Sequence, residues 1–326
     1  MIKLKNLLIV FSILILISVI FIVVIAKNSQ KAVLANGMTI SNKKYGWGVK
    51  RNDNHEQPDI TVYKNILDKY KGISMGNKDK KVVYLTFDQG YEAGYTPKIL
   101  DVLKENNVKA TFFITGHYLN SQTDLVKRMV TEGHIVGNHT VNHYSMPEIN
   151  DEKIKSELLD LHAAVFEKTG YEMKYMRPPK GEFSERTLQL TSNLEYTTVM
   201  WSLAYDDFDE KKQKGDEYAK KKILDNIHPG AVILLHATSK DNANVLDYCI
   251  KEIKNMGYDI KNIDEFEWDD ICVRNCRRYC GATFSVLLFD NSFFVLRGKL
   301  HRGSVQLYTI NICIRTKNVQ TVQPQF

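Results

Sequence analysis

The first hydrophobic run along the chain is also the longest. Residues 7–26 read LLIVFSILILISVIFIVVIA, 20 positions without a charge. As a helix this stretch spans about 30 Å, enough to cross a bilayer, and it lacks the polar face of a core helix. Lys3 and Lys5 precede it and Lys27 and Lys31 follow, too even a balance to set orientation. The run reads as an uncleaved transmembrane anchor behind a cytoplasmic stub at 1–6. The rival is a signal peptide cut after Val33-Leu34-Ala35. Against it, the run exceeds the ~7–15 residues of a signal-peptide core, and charged residues separate it from Ala35. Residues 27–80 are polar and carry the turn residues Gly37, Gly46, Gly48 and Pro58. They predict a stalk and lead-in segment with one helix near 60–71.

From Val82 onward short β-rich runs alternate with amphipathic stretches. Apolar runs at 82–87, 110–114, 134–136, 175–176, 197–201, 231–236 and 258–260 predict strands. Thr96-Pro97 predicts a helix start, with Thr96 as N-cap and Pro97 at the first helical position. Ser121 with Asp124 reads as a capping box and Gly133 as a stop. Ile154, Leu158, Leu161 and Val165 recur at helical spacing within 151–168, and Gly170 ends that helix. Further helices are predicted from Ser184, near 216–227 and at 241–256. This alternation predicts an α/β fold, a parallel sheet covered by helices. The segment 82–266 holds about seven units, whereas a full eightfold barrel usually needs ~250 residues. The expectation is a small, incomplete or distorted barrel, with an open doubly wound sheet as the alternative. Ligands sit at the carboxyl ends of the strands in either.

Composition narrows the class. The 326 residues are 44% hydrophobic and 25% charged, enough for a packed core. The net charge of +6 would suit an acidic partner. Its distribution says otherwise: residues 271–326 hold eight Lys/Arg against one Asp, leaving 36 against 37 in the other 270. The body is near neutral, which argues against nucleic-acid binding. Cysteines occur at 249, 272, 276, 280 and 313, so the body is neither disulfide-stapled nor a zinc ribbon.

The ionisable residues collect at strand ends. Asp88-Gln89-Gly90 closes the first run, His139-Thr140-Val141-Asn142-His143 follows the third, and Arg177-Pro178-Pro179-Lys180-Gly181 the fourth. Trp201 through Asp207 follow the fifth, and His236 ends the sixth. Polar groups from five strand ends on one rim are the layout of an active site. His139 and His143, four apart, could face one way on a helical turn and bind a divalent metal. Each piece alone has a plain structural reading: a turn carboxylate, surface histidines, an ion-paired arginine. The other six histidines (55, 117, 134, 162, 228 and 301) read as structural or exposed. The carboxylates are too few for a two-metal nuclease or phosphatase.

Taken in order, TFDQG (86–90), HTVNH (139–143), RPPKG (177–181), YDDF (205–208) and LLH (234–236) resemble the polysaccharide deacetylase family, or NodB homology domain. The chain is similar in particular to the delta-lactam-biosynthetic de-N-acetylases of spore-forming bacteria, through YGWG (45–48), NHEQP (54–58), TFDQGYEAGYT (86–96), RPPKGEFS (177–184) and HATSKDNA (236–243). The resemblance implies a distorted seven-stranded (β/α) barrel over 81–267 that hydrolyses the N-acetyl group of an amino sugar. For the subgroup it implies N-acetylmuramic acid of peptidoglycan glycan strands, whose free amine then closes to the muramic δ-lactam of spore cortex. By the same resemblance Asp88 is the general base, Arg177 its partner, His236 the general acid and Asp207 the residue that orients it. His139, His143 and Gln89 would hold a divalent ion, zinc or another. The amide of Lys180, after Pro179, would donate to the oxyanion, and Trp201 and Leu234 would wall the acetyl pocket.

Three positions depart from the family pattern. Gln89 stands where an aspartate is usual, so a zinc ion would be weakly held. Lys180 replaces an aromatic residue and Phe208 a tryptophan. Two other functions fit the same motifs: deacetylation of N-acetylglucosamine polymers, or an inactive glycan-binding module. The resemblance ends near Glu267. The tail at 268–326 is basic, β-rich and Cys-containing; it reads as a metal-binding appendage, a poorly ordered extension or an altered reading frame. The chain is expected at the cell membrane, single-pass, with its catalytic part outside the cytoplasm.

Overall fold

A computed structural model of the chain describes residues 40–52 and 54–266, together with the backbone of β10 to β13 defined below. The stub at 1–6, the anchor at 7–26 and the four tail cysteines lie outside the described residues. Among the described residues no helix is long and apolar enough to cross a membrane.

In chain order the elements are β1 (Tyr45–Gly46), α1 (Thr61–Lys69), β2 (Val82–Gln89), α2 (Thr96–Glu105), β3 (Thr111–Ile114), α3 (Gly116–Ser121), α4 (Thr123–Thr131) and β4 (Ile135–Asn138). Then follow α5 (Asp151–Thr169), β5 (Tyr175–Met176), β6 (Glu182–Phe183), α6 (Glu185–Asn193), β7 (Thr197–Thr198), α7 (Asp216–Leu224), β8 (Val232–His236), α8 (Lys240–Asn255) and β9 (Asp259–Lys261). In the tail, β10 (Ser285–Phe289) pairs antiparallel with β11 (Ser292–Leu296), and β12 (Lys299–His301) with β13 (Ser304–Gln306).

Seven strands form one sheet in the order β7-β5-β4-β3-β2-β8, with β9 also paired to β2, and every pairing is parallel. The segment after β7 reaches the opposite edge. The Ser202 amide donates to Val232 O (2.9 Å) and the Leu234 amide to Leu203 O (2.8 Å), with a parallel bridge at Leu203↔Ile233. The sheet is therefore curled into a half-barrel, not laid open as a doubly wound sheet.

Side chains alternate across it with period two. Val82, Tyr84, Phe113, Ile135, Val199 and Val232 fill the inside of the curl. Val83, Leu85, Phe87, Phe112, Val136, Ile233 and Leu235 face outward into a larger core under the helices. Continued up β2, this alternation sends Thr86 and Asp88 inward and Gln89 outward.

The lead-in segment lies against the half-barrel. Tyr45 and Gly46 of β1 pair with Phe183 and Glu182 of β6, the Trp47 amide donates to Gly181 O (2.8 Å), and its indole N–H to Trp201 O (2.9 Å). Trp47, Ile60, Leu67, Phe183, Leu188 and Met200 form a third apolar cluster, which explains the YGWG and GEFS matches as one packed unit. In the NHEQP stretch, Gln57 Nε2 donates to Gly76 O and Pro229 O, both at 2.9 Å, tying the segment to the chain just before β8.

The helix boundaries carry two corrections. Thr96 is the first residue of α2, not its cap: Glu92 Oε1 accepts the Gly94 and Thr96 amides, and the Thr96 hydroxyl faces Gln89 instead. Ser121 ends α3, with its hydroxyl donating back to His117 O, so no capping box forms there. Gly133 and Gly170 take left-handed conformations (φ 80° and 69°) past the ends of α4 and α5, as expected of helix stops.

Candidate active site

Asp88 near the end of β2 and His236 at the end of β8 are register partners on adjacent parallel strands. Both open into a cavity of ≈ 1080 Å³ at the carboxyl ends of the strands. Each is held by a partner behind the cavity wall.

Arg177, just past β5, is fully buried. Its Nη1 donates to Asp88 Oδ1 (2.7 Å), Nη2 to Thr86 Oγ1 (2.9 Å) and Met200 O (3.2 Å), and Nε to Val199 O (3.1 Å). Its guanidinium lies 4.2 Å from the Phe113 ring centroid. Gly137 makes room for that ring: a Cβ there would fall 2.4 Å from it. Burial alone would raise the Asp88 carboxyl, but Arg177, His139 and His236 hold it below the usual carboxylate range. It is a carboxylate at neutral pH, with Oδ2 left for substrate or water.

Asp207 is buried behind His236. The His236 ring donates from Nδ1 to Asp207 Oδ1 (2.8 Å), and its backbone amide donates to Oδ2 (2.8 Å). Asn242 Nδ2 donates to the same Oδ2 (2.6 Å). Burial works against a charged ring, yet Asp207 and Asp88 raise the His236 pKa above its usual value. The ring is thereby fixed with Nε2 toward the cavity and its proton retained.

His139 and His143 both line the cavity, their ring centroids 4.8 Å apart. The route is not the expected helical turn. Thr140 and His143 adopt left-handed φ of 67° and 57°, and the loop is held by side chains. Asn138 Oδ1 accepts the Thr140 amide (2.9 Å), and Glu157 on α5 accepts both Asn142 N–H and Asn142 Nδ2 at 2.7 Å. His139 Nδ1 donates to Arg177 O (2.8 Å), so its Nε2 lone pair faces Asp88 Oδ2 across 3.5 Å. Burial keeps His139 below its usual pKa, and burial with His139 pushes His143 down to about 4. Two acceptors facing each other suit a shared proton donor, such as a water bound to both.

Gln89 is the residue that the structure places elsewhere. It is fully buried on the outer face of β2, where Nε2 faces the Thr96 hydroxyl (3.3 Å) and the Tyr118 hydroxyl (3.5 Å). The period of the strand forbids it from sharing the inward face with Asp88. It is therefore not a third ligand. Among the described residues no three His, Cys, Asp or Glu side chains are grouped so as to hold a metal ion. Of the three expected ligands only the His139 and His143 imidazoles face the cavity, which does not fit a conventional three-ligand zinc site.

Lys180, Trp201 and Leu234 also line the cavity, while Pro179 is buried behind it. Lys180 sits at φ 59°, ψ 9°, and its amide donates to no other described residue. Gly181 follows at φ 65°; a Cβ there would meet the Trp201 ring at 2.7 Å. Sequence reasoning missed His117, Tyr91 and Tyr205 on the lining. For His117, three residues beyond β3, the strand-end position was the available signal. Glu157 was also missed: nothing in its helical spacing points to a loop clamp.

A family model described as polysaccharide deacetylase matches residues 75–199. The peptidoglycan-N-acetylmuramic acid deacetylase PdaA of Bacillus subtilis is 44% identical over 237 residues, covering 72% of this chain and 90% of that protein. A peptidoglycan-N-acetylglucosamine deacetylase of Bacillus cereus is 35% identical over 195 residues, 59% of this chain and 70% of that one. The solved structure of B. subtilis PdaA, a family 4 carbohydrate esterase, superposes with a TM-score of 0.68 over 70% of this chain and 98% of its own. With the paired Asp88–Arg177 and His236–Asp207 at the strand ends, these likenesses establish that the chain belongs to the polysaccharide deacetylase family and is a hydrolytic deacetylase.

Proposed function

We propose that the protein removes the N-acetyl group from N-acetylmuramic acid of peptidoglycan, leading to muramic δ-lactam. One observation carries the chemistry: a base and an acid stand side by side in one cavity, each held in its working protonation state by its own buried partner. Asp88 takes a proton from a water held between its Oδ2 and His139, and the oxygen attacks the acetamide carbonyl. The Lys180 amide donates to the oxyanion, a contribution typically worth about 10²–10³ in rate. His236 gives its Nε2 proton to the departing nitrogen, releasing acetate and the free amine. Trp201 and Leu234 flank the acetyl methyl. The preference for the muramic sugar is supported by the 44% likeness to PdaA; the 35% likeness to an N-acetylglucosamine deacetylase keeps that sugar as the alternative.

Family members are in general metal-dependent. Of the three expected ligands for a divalent ion, only His139 and His143 face the cavity, and they do not by themselves fit a three-ligand zinc site. We propose further that residues 7–26 anchor the chain in the cell membrane, with the catalytic part outside the cytoplasm facing wall or cortex. Mass spectrometry of muropeptides digested after treatment with the protein tests the substrate. Deacetylated muramic residues support the proposal; deacetylated glucosamine alone would move the assignment to the other sugar.

A further inference from the structure

We infer that the Lys180 side chain is the carboxylate-recognising group of the cavity, so that the pocket selects an amino sugar carrying a free carboxylic acid. This rests on the muramic-acid proposal and names the residue that would enforce it.

Among the described residues Lys180 is the single lysine or arginine on the cavity lining. It has no ion pair among the described residues, and the nearby Glu182 carboxylate is taken by Lys44 (3.3 Å). Asp88, the one carboxylate on the lining among the described residues, is already bound by Arg177. The four histidines on the lining, His117, His139, His143 and His236, supply no negative charge. The charge left uncompensated in the cavity is therefore positive, and an anionic substituent is drawn to it.

The backbone points the same way. Lys180 occupies a left-handed conformation that a lysine adopts only at some cost, and that a plain turn would give to Gly or Asn. Pro178 and Pro179 precede it, and Gly181 is wedged against Trp201 and Trp47 after it. The two prolines restrict the backbone before Lys180 and the close packing of Gly181 restricts it after, so the side chain leaves from a defined point on the rim.

Muramic acid has the matching chemistry. Its lactyl ether sits on the ring carbon next to the one bearing the acetamido group. With the acetamide between Asp88 and His236, the lactyl arm lies one carbon away. Its carboxyl is charged only when no stem peptide is attached; as a peptide amide it is neutral. The inference thus also requires that glycan stripped of its stem peptide is the preferred form.

The test uses the full chain and two glycan probes, peptide-stripped muramic glycan and the same glycan with its carboxyls reduced to alcohols. The readout is the ratio of kcat/KM for acetate release from the two. The wild-type protein should favour the free acid by about tenfold to a hundredfold, the range for a charge-assisted hydrogen bond. Lys180→Met should bring the ratio to about one, and Lys180→Arg should keep most of it. A wild-type ratio near one, or an unchanged ratio in Lys180→Met, overturns the inference while leaving the muramic substrate standing. A wild-type protein that releases acetate from N-acetylglucosamine oligomers but from neither muramic probe overturns the substrate proposal itself.

Discussion

Replacing Asp207 by Asn separates the acid's charge support from its packing. Asp207 Oδ2 already accepts two N–H groups, from the His236 backbone and from Asn242 Nδ2. An asparagine must keep its oxygen there, because an NH₂ facing two donors would leave them unpaired. Its NH₂ is then forced toward His236 Nδ1, which becomes an acceptor and loses its proton. Two effects follow. The ring loses a carboxylate 2.8 Å away, worth up to about 4 kcal/mol for charge centres near 4 Å at an effective dielectric of 20. Since one pKa unit is about 1.4 kcal/mol, the His236 pKa should fall by about one to three units. The working acid form is present below that pKa and lost as pH rises through it, so the alkaline limb of kcat moves down by the same amount. At neutral pH kcat should drop about 10²- to 10⁴-fold. Acetate release across pH gives the limb, and ¹⁵N NMR of His236 gives the tautomer and pKa directly. An Asp207→Asn protein with its alkaline limb in place and kcat within about threefold of wild type would refute this account of the acid.

Gln89→Asp should not tighten zinc binding, because position 89 faces Thr96 and Tyr118; it should instead lower Tm by burying a carboxylate. Tenfold tighter zinc binding by calorimetry would place that side chain in the cavity after all. His134 and His228 are buried and pushed by desolvation to about 4, below the usual 6.5. The folded state thus binds fewer protons, and stability that is full above pH 6.5 should be lost as pH falls toward 4, on the order of 3 kcal/mol per histidine. A denaturation midpoint that stays flat from pH 7 to 4.5 contradicts this. Glu157→Ala removes both acceptors from Asn142 and should lower kcat/KM about tenfold by loosening the 139–143 loop. An unchanged kcat/KM would show that the left-handed backbone holds the loop without Glu157.

Much of the site was legible because barrel chemistry collects where strands end, and the apolar runs mark those ends. Asp88, Arg177, His139, His143, Asp207 and His236 sit at such ends or just beyond them, and the fold brings all six together. The error at Gln89 shows what a motif alone conceals. β2 runs on through Gln89, which is paired in register with Ile114, so neighbouring residues must point to opposite faces. Extending the Val82–Tyr84–Thr86–Asp88 series by one more step would have sent Gln89 outward from sequence alone. The 139–143 loop was beyond that reach. Between its left-handed residues Thr140 and His143, Asn142 is clamped by Glu157, a contact from a helix with no local signature. The Ser121 capping box failed for a similar reason: local capping chemistry was present, but α3 had already claimed the serine hydroxyl.

The most direct test of the central claim compares acetate release from purified, peptide-stripped peptidoglycan by the wild-type protein and by Asp88→Asn. That variant removes the base and leaves the buried Arg177 without its carboxylate, which should destabilise the fold by about 3–5 kcal/mol, so a thermal melt must show it folded at the assay temperature. The account predicts release by the wild type and a loss of at least about a hundredfold in the folded variant. Equal release by the two proteins would contradict it, because Asp88 could then not be the group that activates water.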